Sequence, residues 1–118
     1  MATRGQQPSF RGRAALERVD KLLEHRPRLA ICVVLAQADA LSFSRLKDLI
    51  GETDGNLGAQ LRKLEEGGYV RVRKEFVERK PVSWYELTTA GRKALREHLD
   101  AMSDLLKSVA PGTEGRRG

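Results

Sequence analysis

Thr53 to Val70 reads T-D-G-N-L-G-A-Q-L-R-K-L-E-E-G-G-Y-V, and the fold follows from how that stretch divides. Thr53 is a good helix N-cap, and Asp54 beside it suits the positive end of a helix dipole. Leu57, Leu61 and Leu64 then recur at steps of four and three, one narrow apolar stripe of an α-helix. Gly67-Gly68 ends the helix. From Tyr69 and Val70 the pattern switches to a period of two, which is a strand. A one-faced helix therefore runs through a glycine break into β-structure.

The face opposite the leucines carries Gly55, Ala59 and Arg62, with Asn56 and Lys63 on one flank. Gly55 and Gly58 each cost about 1 kcal/mol relative to alanine in a helix interior. Small residues let a helix come close to another surface. Close approach, an amide and two cations are what reading a DNA major groove requires. The plainer alternative is that the glycines only sit in a frayed first turn. Residues 52 to 70 are also net acidic, with Arg62 and Lys63 against Glu52, Asp54, Glu65 and Glu66. That counts against DNA until the flanks are read.

Upstream, Leu41-Ser42-Phe43 is a short extended piece that could pair as a third strand. Ser42 or Ser44 caps a helix to about Ile50, with Leu46, Leu49 and Ile50 inward. Gly51-Glu52 is the turn. Two helices about a glycine-containing turn, the second amphipathic, make a helix-turn-helix pattern. Its first helix crosses the DNA backbone, which puts Ser44, Arg45 and Lys47 near phosphates; a solvated charged face is the competing reading. Downstream, residues 69–76 alternate, with Val70, Val72 and Phe76 facing inward. Residues 83–87 return with Tyr85 and Leu87 inward, and residues 77–82 form the hairpin tip. From Arg71 to Pro81 five cations stand against two acids, which reverses the acidic balance of the helix. Arg79 and Lys80 at the tip suit phosphate or a narrow minor groove, although edge hairpins are also charged to prevent aggregation. Trp84 is out of phase with the inward residues, and its role stays open.

These motifs, in this order, resemble winged helix-turn-helix regulators of the MarR/ArsR type, in their small single-domain branch. The resemblance rests on T-D-G-N-L-x-x-Q-L-R-K-L-E-E-G-G-Y-V and on Phe43-x-x-Leu46-Lys47-x-x-Ile50-Gly51 before it. It continues through Phe76-Val77-x-Arg79-Lys80-Pro81 and Tyr85-x-Leu87-Thr88-x-x-Gly91-Arg92. It covers roughly residues 14 to 108. It implies an α+β, mainly α, winged helix-turn-helix with a two- to three-stranded antiparallel wing and a long C-terminal dimerisation helix. It also implies transcriptional repression rather than activation. Such regulators often bind a small-molecule effector, but no residue pattern here supports one.

The remaining segments fit that frame. Residues 14–24 read as a first helix with Leu16, Val19, Leu22 and Leu23 on one side. Pro27 starts a second helix to about Ala38, apolar around most of its girth and so central and buried. Thr88 caps the last helix, residues 88–109. Gly91 allows tight packing near its start. Leu95, Leu99, Met102, Leu106 and Val109 then recur at steps of four and three, an a/d seam longer than this small core can cover. Together with Leu16 and Val19 this is the expected dimer interface, unless the seam merely folds back on the first helix. Residues 1–13 read as a disordered basic arm in which Arg4, Arg11 and Arg13 could add phosphate contacts, and residues 110–118 as a disordered tail.

The 118 residues bound one domain, and a formal charge of +6 favours a polyanionic partner. A single cysteine, Cys32, excludes an internal disulfide and reads as a small buried hydrophobe. Together with His25 and His98, taken as ordinary surface or rim residues, it makes no recognisable metal set. No cofactor is expected. No apolar run approaches a membrane span, so a cytoplasmic protein is expected. No phosphate loop or nucleophile–base spacing suggests an enzyme. The expected function is a homodimeric, sequence-specific regulator of double-stranded DNA reading a pseudo-palindromic site. Asn56 would address adenine, Arg62 or Lys63 guanine or phosphate, and Gln60, nearer the core face, remains a candidate reader. Thr53, Gly55 and Ala59 complete the contacting helix surface, Gly55 and Ala59 by closeness. The alternative is a protein-interaction module that uses the heptad seam.

Overall fold

The computed structural model describes residues 10–110 of the chain, in the order α1 (Arg13–Glu17), α2 (Arg26–Leu35), β1 (Leu41–Ser42), α3 (Phe43–Ile50), α4 (Asp54–Glu66), β2 (Val70–Val77), β3 (Lys80–Leu87) and α5 (Thr89–Val109). Residues 1–9 and 111–118, most of the expected arm with Arg4 and the expected tail, lie outside the described residues. Residues 10–13 do not continue the arm. Phe10 lies under the Arg13 guanidinium, and Gly12 packs against Leu105 and Ser108 of α5.

The core is built around α2, where Ile31, Cys32 and Leu35 are fully buried and Leu29, Val33 and Val34 pack beside them. Pro27 occupies its first turn, as expected. Leu46 of α3 and Leu57, Leu61 and Leu64 of α4 close on that helix, with Val70 and Leu87 from the sheet and Leu95 from α5. Burial of this one apolar cluster is the main stabilising term for a chain of this size. Leu49 was expected inward but is exposed. At about 100° per residue it lies on the opposite flank of Leu46 from Ile50, and α3 meets α2 along one side only.

The first helix is shorter than the apolar spacing suggests. It ends at Glu17, because Asp20 holds the chain in a turn instead. The Asp20 carboxylate accepts the backbone N–H of Leu22 (2.8 Å) and of Leu23 (3.2 Å) and also the Tyr69 hydroxyl. Such side-chain-to-backbone bonds compete directly with helix. The Asp20 N–H donates in turn to His98 Nδ1 of α5 at 3.0 Å. His98 is therefore a buried joint between α5 and this turn, not the surface residue its isolation in the sequence suggested.

β1, β3 and β2 form an antiparallel sheet in that order, so Leu41-Ser42 does pair with the wing. The hairpin is longer and its turn tighter than expected. Val70 faces Leu87, Val77 faces Lys80, and only Glu78 and Arg79 lie between the strands. Both take positive φ, 52° and 71°, the backbone of a two-residue hairpin turn that usually favours Asn or Gly. Lys80 thus begins β3 rather than sitting in a loose tip. Phe76, expected inward, is 76% exposed. The sheet outruns the helical body after Val72, the last β2 residue with partial cover.

Thr88 caps α5 through the Gly91 N–H and also donates to the Gly68 carbonyl at 2.7 Å. At Gly91 a Cβ would collide with the Tyr69 carbonyl, so the start of α5 fits the wing root only without a side chain. The seam along α5 divides. Leu95 is buried in the chain's own core, while Leu99, Met102, Leu106 and Val109 are exposed, as is Leu16 on α1. Leu95 is therefore not free for a partner.

Candidate nucleic-acid interface

Local chemistry sets the helix-turn-helix. Ser42 Oγ accepts the Arg45 N–H at the start of α3, so Ser42 and not Ser44 is the cap. Gly51 takes φ 78°, the left-handed turn that lets α3 end and α4 begin at once. Thr53 Oγ1 accepts the Asn56 N–H at 3.2 Å and fixes the first turn of α4. Lys47 Nζ lies 2.9 Å from Asp54 and ties the two helices together, a different role from the free phosphate contact expected of it. That hydrogen bond to Asp54 raises the Lys47 pKa, so the ammonium stays charged across the working range.

With the leucines buried, α4 turns Thr53, Gly55, Asn56, Arg62 and Lys63 to solvent, with Ala59 partly covered. A Cβ added at Gly55 or Gly58 would meet nothing within 4 Å. The chain's own packing therefore does not require either glycine, whereas Gly91 is demanded by its neighbours. Gln60 stands apart from this group. Its Oε1 accepts a 2.8 Å hydrogen bond from Arg28 of α2, whose Nε is held by the Leu22 carbonyl. Nothing in the local spacing announces that pairing, because Arg28 comes 32 residues earlier.

Between α4 and the sheet runs a cleft of about 500 Å³, lined by Gly58, Arg62, Glu65, Lys74, Ser83 and Tyr85 among others. The wing beside it is less cationic than its composition. Arg71 pairs with Glu86 and Arg73 with Glu75, both at 3.1 Å. The Arg71 hydrogen bond holds the Glu86 carboxyl below its usual range. Lys74, Arg79 and Lys80 form no ion pair among the described residues, and neither do Arg45, Arg62 and Lys63. These six cations sit on α3, on the outer face of α4, beside the cleft and at the end of the hairpin; Lys21, Arg26, Arg92, Arg96 and Lys107 elsewhere on the described surface also form no ion pair. Lys74, one of the five wing cations in the sequence but not an expected contact residue, is in phase with Val70 and Val72 and so stands on the α4 side of β2. Trp84 pairs in register with Ser42 and Arg73, and its Nε1 is shielded from solvent with no acceptor among the described residues. No cluster of three metal-ligating side chains occurs among them, and no helix is long and apolar enough to cross a membrane.

Comparisons with known proteins agree with this architecture. An uncharacterized protein of Methanocaldococcus jannaschii is 29% identical over 89 residues, covering 75% of this chain and 97% of that one. The solved structure of a transcriptional regulator homologue from Pyrococcus horikoshii superposes with a TM-score of 0.76 at 25% identity, over 83% of this chain and 99% of the other. The M. tuberculosis transcriptional regulator MOSR, solved in complex with DNA, shares the fold, with a TM-score of 0.60 at 22% identity over 92% of this chain and 77% of that one. The winged helix DNA-binding domain family matches residues 28–106, from the first turn of α2 to the outer half of α5. The chain belongs to the winged helix DNA-binding domain family.

Proposed function

We propose that the chain is a homodimeric, sequence-specific regulator of transcription that binds double-stranded DNA and acts as a repressor. The observation that carries this reading is the outer face of α4. It holds an amide, two unpaired cations and Gly55 with open space over it, and it lies beside a hairpin that ends in further unpaired cations. α4 enters the major groove. Asn56 reads adenine, Arg62 and Lys63 read guanine or hold phosphate, and Gly55 and Ala59 allow the backbone to come close. Ser44 and Arg45, at the start of α3, and Thr53 hold the flanking phosphates, and Arg79 and Lys80 hold the backbone beyond them. Gln60, held by Arg28, orients α4 on α2 and reaches a base only if that bond opens. The exposed stripe Leu99, Met102, Leu106 and Val109, with Leu16 and the half-buried Val19, seats the second copy. Two-fold symmetry then sets half-sites about 34–36 Å apart or a multiple of that.

The test is selection of bound duplexes from random DNA, followed by binding of two variants. Asn56→Ala should lose about 1–3 kcal/mol on the selected site and little on random duplex. Arg79→Ala should weaken both alike and lower the salt slope by about one phosphate. Identical behaviour of the two variants on both duplexes would refute the division into readers and anchors.

A further inference from the structure

Phe76 is the most exposed large hydrophobic residue among those described. It lies four residues beyond Val72, the last β2 position with any cover, or about 14 Å along the strand. Its cross-strand partner is Pro81, which is also exposed. The two-residue turn at Glu78-Arg79 leaves one cross-strand pair, Val77 and Lys80, between this pair and the end of the ribbon. In the pleat, Phe76 and Pro81 share a face with Lys74, Val72, Ser83 and Tyr85, the residues that border the cleft beside α4. An apolar tip therefore points from the same side of the hairpin as the cleft, and it is flanked by the unpaired Lys74, Arg79 and Lys80.

We propose that Phe76, backed by Pro81, is an apolar wedge that enters the DNA minor groove and partly unstacks one base step. The inference rests on the DNA-binding reading above. Charge chooses the occupant: three unpaired cations, against the single unpaired acid Glu78, surround a phenyl ring, and this excess suits a polyanion with an apolar interior, which stacked bases between phosphates are. Width limits what can enter. Two strands about 4.8 Å apart, with their side chains, overfill a minor groove about 6 Å wide. The ribbon itself stays outside, and only side chains projecting from its end, Phe76 two residues before the turn among them, reach the bases. Arg79 and Lys80 grip the groove walls while the ring works between the bases, and this kinks the duplex toward the major groove. Flexible pyrimidine–purine steps are the least costly to open, so the selected site carries TA or CA/TG where the tip lands. Specificity then arises at a position that α4 does not touch.

The measurement uses the full chain and a duplex selected from random sequence, labelled at its ends for energy transfer and carrying 2-aminopurine at the flanking TA or CA step. Wild type brightens the 2-aminopurine and shortens the end-to-end distance. Phe76→Ala abolishes both signals, keeps the salt slope and loses about tenfold or more in affinity, the worth of hiding one phenyl ring from water. Phe76→Leu retains much of the bend. Arg79→Ala keeps the brightening at saturation but lowers the salt slope. The wedge is overturned if wild type binds its duplex without brightening, or if Phe76→Ala bends and brightens it as wild type does. It is also overturned if Phe76→Ala changes only the sedimentation of the DNA-free protein, which would assign the ring to a protein contact. Failure of wild type to bind any selected duplex would instead remove the DNA-binding reading itself.

Discussion

Single residues here are decided by what surrounds them. Cys32 shows this most simply. It is buried in α2, and burial pushes its thiol up to about 12, with the Asp20 carboxylate adding to the shift. Tyr69 is pushed up to about 12 as well, by desolvation and then by its hydrogen bond to Asp20. Both groups keep their protons in the folded state at pH values where the unfolded chain, with ordinary values of 9.0 and 10.0, has begun to release them. The stability they contribute is complete below about pH 9 and lost as pH rises toward 12. The melting temperature should therefore fall across that window, and Tyr69→Phe should flatten part of the fall. Iodoacetamide at pH 8 should leave Cys32 unmodified until the protein unfolds. Gly91→Ala drives a methyl into the Tyr69 carbonyl, which backbone cannot easily evade. A loss of about 1–3 kcal/mol in chemical denaturation is expected, as for overpacking in a close-packed site.

At the scale of elements, the proposed DNA contact divides between the shape of α4 and the charge of the hairpin. Gly55 has open space where its Cβ would stand. Alanine there should stabilise the protein by up to about 1 kcal/mol through helix propensity. The same methyl would hold α4 away from the groove. Gly55→Ala should therefore raise the melting temperature and lower affinity for the selected duplex. A variant that gains stability and binds DNA unchanged would return the glycine to the plainer reading, a loose first turn. The hairpin shows the converse. Its composition suggested five cations in action, but Arg71 and Arg73 are spent on Glu86 and Glu75 across and along the strands. Surface pairs of this kind add little to stability, but they withdraw charge from the wing root and leave it at the end.

For the whole molecule the proposed partnership sits on α5. Its inner positions Ala94, Leu95, His98 and Ala101 are buried against the chain itself, and its outer positions stay bare. Replacing Met102 and Leu106 together by glutamate should leave the fold intact, because both side chains are exposed. It should convert a sedimenting dimer to monomer and cut DNA affinity by the loss of the second half-site. Wild-type protein that sediments as a monomer at micromolar concentration would remove the dimer from the proposal.

The order of helices and strands was legible in the residues, because each is announced locally. Thr53, Thr88 and Ser42 cap, Gly51 turns, and the leucines of α4 keep one face. The reach of α1, the true length of the hairpin, the burial of His98 and the bond between Arg28 and Gln60 were not legible. Each depends on a partner far along the chain, and a local pattern carries no information about such a partner. Asp20 could have continued a helix until Tyr69 and His98 were brought to it. Phe76 keeps the phase of Val70 and Val72, with Lys74 between them, yet phase specifies only a face. Whether that face meets a core or the solvent is set by how far the helical body extends, and packing alone decides that.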